Sequence, residues 1–131
     1  MWNYEKRLQY PINIKQINPS LAAMIISQYG GPDGELGASM RYISQRYSCG
    51  FRDVAGLLTD IGTEELGHFE MVSTMVHQLT RTLTMEQIKG TPFEAYYVDH
   101  TAGIWPQAAG GVPFNACEFQ SKGDVITDLV E

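Results

Sequence analysis

A regular spacing of residues between positions 54 and 79 constrains the fold of this chain more than any other feature. Successive members lie alternately four and three residues apart: Val54, Leu58, Ile61, Glu65, His68, Val72, Met75 and Leu79. This is the a/d pattern of a long helix packed in a bundle. We call these eight positions the heptad stripe. Two of them, Glu65 and His68, are polar where a bundle favours apolar side chains.

Glycine-rich breakers separate this helix from the segments before it. The stretch GGPDG at 30–34 combines three glycines with a proline, and SCG at 48–50 precedes the heptad stripe. Both stretches are strong helix-breaking signals. The predicted helices are 21–29 with Ser20 as N-cap, about 35–48 with Asp33 as N-cap, and about 51–80.

The remaining segments complete an all-α architecture. Residues 1–18 are predicted as an extended N-terminal arm, because Pro11 and the following Pro19 disfavour helix across this region. Residues 81–122 form a connection too long for a simple turn, with a short helix predicted at 84–90. A further helix begins after Asp124, its predicted N-cap. We therefore expect one domain over residues 1–131, holding two bundle helices, a long crossover and the start of a third bundle helix.

Composition excludes several classes of function. The sequence contains nine Lys and Arg residues and fifteen Asp and Glu residues, which gives a net charge of −6. An acidic chain without basic runs is a poor partner for nucleic acid or an anionic membrane. The charged N-terminus lacks the apolar core of a signal peptide, so we expect synthesis in the cytoplasm. Cys49 and Cys117 match no zinc pattern and are expected to be free or structural thiols.

Glu65 and His68 are the candidate metal ligands. Residues three apart on a helix share a face, so both side chains can reach one cation. A Glu-x-x-His motif, with a single Glu from the preceding helix, is half of the dimetal carboxylate site of ferritin-like bundles. Glu35, at the start of the preceding predicted helix, is the candidate for that glutamate. Two alternatives remain: a structurally satisfied Glu–His pair, or a helix phase that turns both residues outward.

Other polar residues receive plainer interpretations. Glu64, Glu70 and His77 are predicted to be solvated helix residues. His100, in the long connection, is predicted to be a hydrogen-bonded loop histidine rather than a ligand. The sequence contains no phosphate-binding glycine loop and no cue for a thiol nucleophile.

Several segments together resemble the manganese catalase family, and the resemblance runs over essentially the whole chain. They are MWNYEKRLQYP, QYGGPDGELGASMRYISQRY, GLLTDIGTEELGHFEMV, YYVDH, AAGGVPF and QSKGDVITDLVE. The similarity is greatest with the short, spore-coat branch of that family. The resemblance implies a ferritin-like four-helix bundle with two manganese ions, iron being the alternative metal. It also implies disproportionation of hydrogen peroxide to water and oxygen.

The resemblance also implies a role for individual residues. Glu35 would be a terminal carboxylate ligand of the first metal, Glu65 would bridge both metals, and His68 would be the nitrogen ligand of the first. Tyr42 would be a phenol that hydrogen-bonds beside the cluster. The family's second Glu and second His lie on later helices, beyond the last residue of this sequence. We therefore expect a fragment, a hairpin completed by a second copy, or a structural shell component.

Two functional hypotheses follow. The first is a manganese catalase-like enzyme of the spore-coat type, with hydrogen peroxide as its substrate. The second is a structural coat-assembly protein with a vestigial or half metal site, packing through its arm and its long connection. The resemblance implies a homo-oligomer, a spore-coat location and contacts with other spore-coat proteins.

Overall fold

The computed structural model describes residues 3–96 and 103–130, so His100 lies outside the described residues. The named helices are α1 (Pro19–Gly30), α2 (Glu35–Gln45), α3 (Arg52–Thr80), α4 (Met85–Ile88) and α5 (Val125–Val130). The described ranges contain no β-strand, and one isolated antiparallel bridge joins Gln107 to Pro113. None of the described helices is long and apolar enough to cross a membrane.

Helix α3 is the central element, and its bounds confirm the helix predicted from the heptad stripe. Stripe residues Leu58, Val72 and Leu79 are buried. The C-terminal half of α3 forms the main core with α1, α4 and the crossover. The buried core residues are Ala22, Ala23, Ile26, Tyr29, Val72, Val76, Leu79, Ile88, Phe93 and Tyr96. The hydrophobic core therefore lies at one end of α3 and leaves the middle of that helix for polar residues.

Helices α1 and α2 follow one another along α3, both antiparallel to it. The Asn18 backbone N–H, just before α1, donates to the Leu79 carbonyl at 3.0 Å. About a third of the way along α3, the Ser39 hydroxyl of α2 donates to the Gly62 carbonyl at 2.6 Å. This register could not be derived from the sequence. It places the start of α2 beside the middle of α3.

Two of the predicted N-caps are wrong. Helix α1 begins at Pro19, and Asn18 is the cap, with its Oδ1 accepting from the Leu21 N–H at 2.9 Å. The reason is that proline fits the first helical position, so Pro19 starts the helix instead of preceding it. Gly34 precedes α2 without a side-chain cap. The predicted cap Asp33 instead has an oxygen 3.5 Å from the Arg41 guanidinium.

The later caps agree with the sequence. Thr84 and Gln87 form a capping box around α4. The Asp124 Oδ1 accepts from the Thr127 N–H at 2.8 Å, at the start of α5. Helix α2, however, ends at Gln45 rather than near 48, and turns cover the following residues.

The arm and the crossover cover the helices from outside. The described arm residues contain no helix. The Gln78 side chain of α3 holds the arm by two hydrogen bonds: it accepts from the Ile14 N–H at 2.6 Å and donates to the Ile12 carbonyl at 3.0 Å. The crossover reaches the end of α1, where a Cβ at Gly30 would lie 1.8 Å from the Gln107 nitrogen. Glycine is thus required for the close approach of these two backbones.

Candidate metal centre

Three predicted ligands meet where α2 begins beside the middle of α3. Glu35 is the first residue of α2, and Glu65 and His68 lie one turn apart on α3. Each offers one ligand atom, and these atoms lie within 4.8 Å of one another. The antiparallel register between the helices is what brings Glu35 to the other two residues.

The His68 ring points one nitrogen at both carboxylates. Its Nδ1 lies 2.7 Å from Glu65 Oε2 and 3.7 Å from Glu35 Oε2. The shorter distance is a hydrogen bond, so one proton is shared between the imidazole and the carboxylate. Nδ1 is therefore the nitrogen that a cation at this position would engage.

The two carboxylates raise the proton affinity of the site. Burial, together with a hydrogen bond and the charge of Glu65, raises the pKa of Glu35 to about 7, and His68 partly opposes this shift. Two carboxyl groups this close do not both ionise easily in a partly buried place. A cation between them relieves the repulsion and replaces the proton.

Burial and donor chemistry fit a manganese or iron ion. The side chains of Glu65, Glu35 and His68 are 14%, 26% and 34% exposed. The donors are thus partly shielded from bulk water. Two carboxylate oxygens and one imidazole nitrogen suit either metal.

Tyr42 lies on the same side of α2 as Glu35, against α3. A Cβ at Gly62 would lie 3.1 Å from the Tyr42 Cβ. Within the described ranges, no hydrogen bond joins the Tyr42 hydroxyl to one of the three candidate ligands. Its predicted role beside the cluster stays a prediction.

Glu64 is exposed, as predicted, and Glu70 is half-buried, but both carboxylates also bind the N-terminal arm. Glu64 Oε1 accepts from the Gln9 side-chain amide at 2.8 Å, and Glu70 Oε1 accepts from the Tyr4 hydroxyl at 2.5 Å. Both partners belong to the N-terminal arm, whose docking the sequence does not reveal. Glu64 lies four residues before His68 on the same helix. This spacing is the one feature of the sequence that indicates a contact between the two side chains.

Two other predictions from the sequence are confirmed. His77 is exposed on α3. Cys49 and Cys117 are free thiols.

Comparison with known proteins assigns the family. The family model described as manganese containing catalase matches residues 1–131. The chain belongs to the manganese catalase family. It is 51% identical to Protein CotJC of Bacillus subtilis, over all of this chain and 69% of that protein. It is 31% identical to a probable manganese catalase of Clostridium acetobutylicum, over 99% of this chain and 59% of that protein.

Solved structures agree with this assignment. The crystal structure of KatB, a manganese catalase from Anabaena PCC7120, matches with a TM-score of 0.84 at 26% identity, over 99% of this chain and 58% of that one. The ferritin-like helical fold and the family resemblance predicted from the sequence are both confirmed. The chain spans somewhat more than half the length of these two catalases.

Proposed function

We propose that this chain supplies half of a dinuclear manganese centre in a catalase of the spore-coat type, with iron as the alternative metal. The observation that carries the proposal is the convergence of Glu35, Glu65 and His68 within 4.8 Å, from two helices of a manganese catalase fold. Bound manganese would supply the redox change that disproportionates hydrogen peroxide to water and oxygen. The residues of this chain supply the geometry and the partly shielded environment.

Glu65 is suited to the bridging role. It is the most buried of the three side chains and contacts both of the others, by the hydrogen bond to His68 and through its interaction with Glu35. A central carboxylate has two oxygens and can hold two cations at a fixed spacing. Glu35 and His68 flank it and would each complete the coordination of the first metal.

The charge of the three donors points to additional ligands. Two carboxylates and a neutral imidazole offset only half of the charge of two divalent cations. We propose that further carboxylate and histidine ligands complete the centre. They would come from residues outside this chain, or from a second copy of the α2–α3 hairpin in a homo-oligomer. The two hairpins together would offer four glutamates and two histidines.

The first experiment measures metal content and mass together. The purified chain is incubated with Mn²⁺, desalted, and analysed for metal per chain alongside its mass in solution, and oxygen release from peroxide is then assayed. We expect Glu65→Gln and His68→Ala to lower metal content. Glu70→Gln, two residues beyond His68 on the same helix, is the matched control. Equal metal content in all four proteins would refute the assignment of the ligands.

A second candidate function is structural assembly in the spore coat. It is favoured by the aromatic side chains Tyr4 and Tyr10, which are exposed on the arm, and by the 51% identity to CotJC. The chain would be made in the cytoplasm, act in the coat and contact other coat proteins. Replacing Glu65 and His68 together by Leu separates the two functions. A purely structural bundle stays equally stable or gains stability, whereas a metal-binding bundle loses its stabilisation by Mn²⁺.

A further inference from the structure

The N-terminal arm lies across the face of α3 that adjoins the candidate metal centre. It is held there by side-chain hydrogen bonds from Tyr4 to Glu70 and from Gln9 to Glu64. Between the arm and α3 lies a cavity of about 1170 Å³, whose lining includes Asp60, Glu64 and Gly67. Most arm residues are exposed, and although Ile14 packs against the core, the part of the arm beside the candidate metal centre is held by these two polar contacts.

One oxygen joins the arm to the metal ligand. Glu64 Oε1, which accepts from Gln9, also lies 3.8 Å from the Nε2 of His68. The opposite nitrogen of the same ring, Nδ1, faces Glu65 and Glu35. The imidazole of His68 therefore lies between the candidate metal position on one side and an anchored carboxylate on the other.

The position of Glu64 beside Nε2 matters because of how a histidine binds a metal. A histidine that ligates through Nδ1 is neutral and carries its proton on Nε2. A carboxylate that accepts a hydrogen bond from this N–H fixes the orientation of the ring and makes the ligating nitrogen more basic. At 3.8 Å the two atoms lie just beyond hydrogen-bond distance, and a shift of less than about 1 Å brings them within it. Gln9 limits the positions that the Glu64 carboxylate can adopt.

We propose that Glu64 is a positioning residue for His68, and that Gln9 holds Glu64 in place, so that metal binding and docking of the arm are coupled. The inference rests on the proposed function, because it takes His68 as a ligand. Coupling between two binding events is reciprocal. Loss of the Gln9 contact therefore weakens metal binding, and metal binding in turn holds the arm on α3.

Variants of the full chain test the first half of this coupling. The dissociation constant for Mn²⁺ is measured by electron paramagnetic resonance of the free ion. We expect Glu64→Gln to raise it about 10- to 100-fold, and Gln9→Ala to raise it about three- to tenfold. Tyr4→Phe removes the other arm contact without touching Glu64, and we expect it to raise the dissociation constant less than Gln9→Ala does. Equal melting temperatures without metal show that the variants are folded.

Trypsin tests the second half, because Lys6 and Arg7 lie on the arm between its two contacts. We expect Mn²⁺ to slow cleavage at these residues in the wild type and in Tyr4→Phe, but not in Glu64→Gln or Gln9→Ala. Wild-type affinity in both Glu64→Gln and Gln9→Ala overturns the inference, as does an equal loss of affinity in Tyr4→Phe. If His68→Ala binds Mn²⁺ as tightly as the wild type, or the wild type binds none, the proposed function itself is wrong and the inference falls with it.

Discussion

Gly62 sets the distance between the two helices that carry the candidate ligands. A Cβ at this position would lie 2.8 Å from Ile43 Cγ1, 3.1 Å from the Tyr42 Cβ and 3.2 Å from the Ile43 nitrogen. Carbon atoms in contact prefer about 3.5–4.0 Å, so a methyl group here is at least about 0.7 Å too close to α2. The backbone nitrogen of Ile43 cannot move away without moving the helix.

The effect of Gly62→Ala follows from two opposing terms. Alanine in a helix is about 1 kcal/mol more favourable than glycine, whereas overpacking costs about 1–3 kcal/mol. We expect the free energy of unfolding to fall by about 0–2 kcal/mol, and α2 to shift away from α3. Gly56 lies on the same helix with nothing within 4 Å of its Cβ position. Gly56→Ala should therefore stabilise the chain by about 1 kcal/mol.

Urea unfolding of the metal-free variants measures both values. The predicted difference between the two alanine variants is about 1–3 kcal/mol, with Gly62→Ala the less stable. Mn²⁺ affinity, measured in parallel, should fall in Gly62→Ala because Glu35 moves with α2. The reasoning is refuted if both substitutions stabilise the chain equally, since α2 would then not be in close contact at Gly62.

Three further predictions concern stability. The pKa of Glu35 is raised from 4.5 to about 7, so the metal-free folded chain binds more protons than the unfolded chain between these values. Its stability should rise as pH falls from 7 towards 4.5, and urea midpoints should show a smaller rise in Glu35→Gln. Asn18→Ala should cost about 0.5–2 kcal/mol through loss of the α1 cap, whereas Ser20→Ala should be nearly neutral in the same urea assay. Saturating Mn²⁺ should raise the melting temperature and a chelator should reverse the rise, with no rise in His68→Ala.

The parts of the site that could be predicted from the sequence are local in the chain. The spacing of the heptad stripe defined α3, and the two polar residues within the stripe indicated Glu65 and His68. Glu35 required more than a pattern: its helix start followed from the GGPDG breaker, and its role followed from the family resemblance. Its position beside α3 depends on close packing at Gly62, which no periodicity reveals.

The features that the sequence did not reveal depend on contacts between residues far apart in the chain, or on a choice between two neighbouring candidate N-caps. Gln9 and Glu64 lie 55 residues apart, and only the docking of the arm brings them together. Without that contact, a glutamate on a polar helix face is indistinguishable from a solvated one. The α1 cap was misplaced because Asn18 and Ser20 both favour N-caps, and the position of Pro19 decided between them.

The antiparallel arrangement of α2 and α3 also bears on how the protein folds. All three candidate ligands lie between positions 35 and 68, on helices joined by a short turn. Contacts between residues that are close in the chain form quickly, because they close only short loops. The arm contacts α3 across 66 residues of sequence, from Ile12 to Gln78. The crossover contacts α1 across 82 residues, from Ser27 to Ala109. We therefore expect the hairpin that carries the ligands to form early during folding, with the covering segments closing over it afterwards.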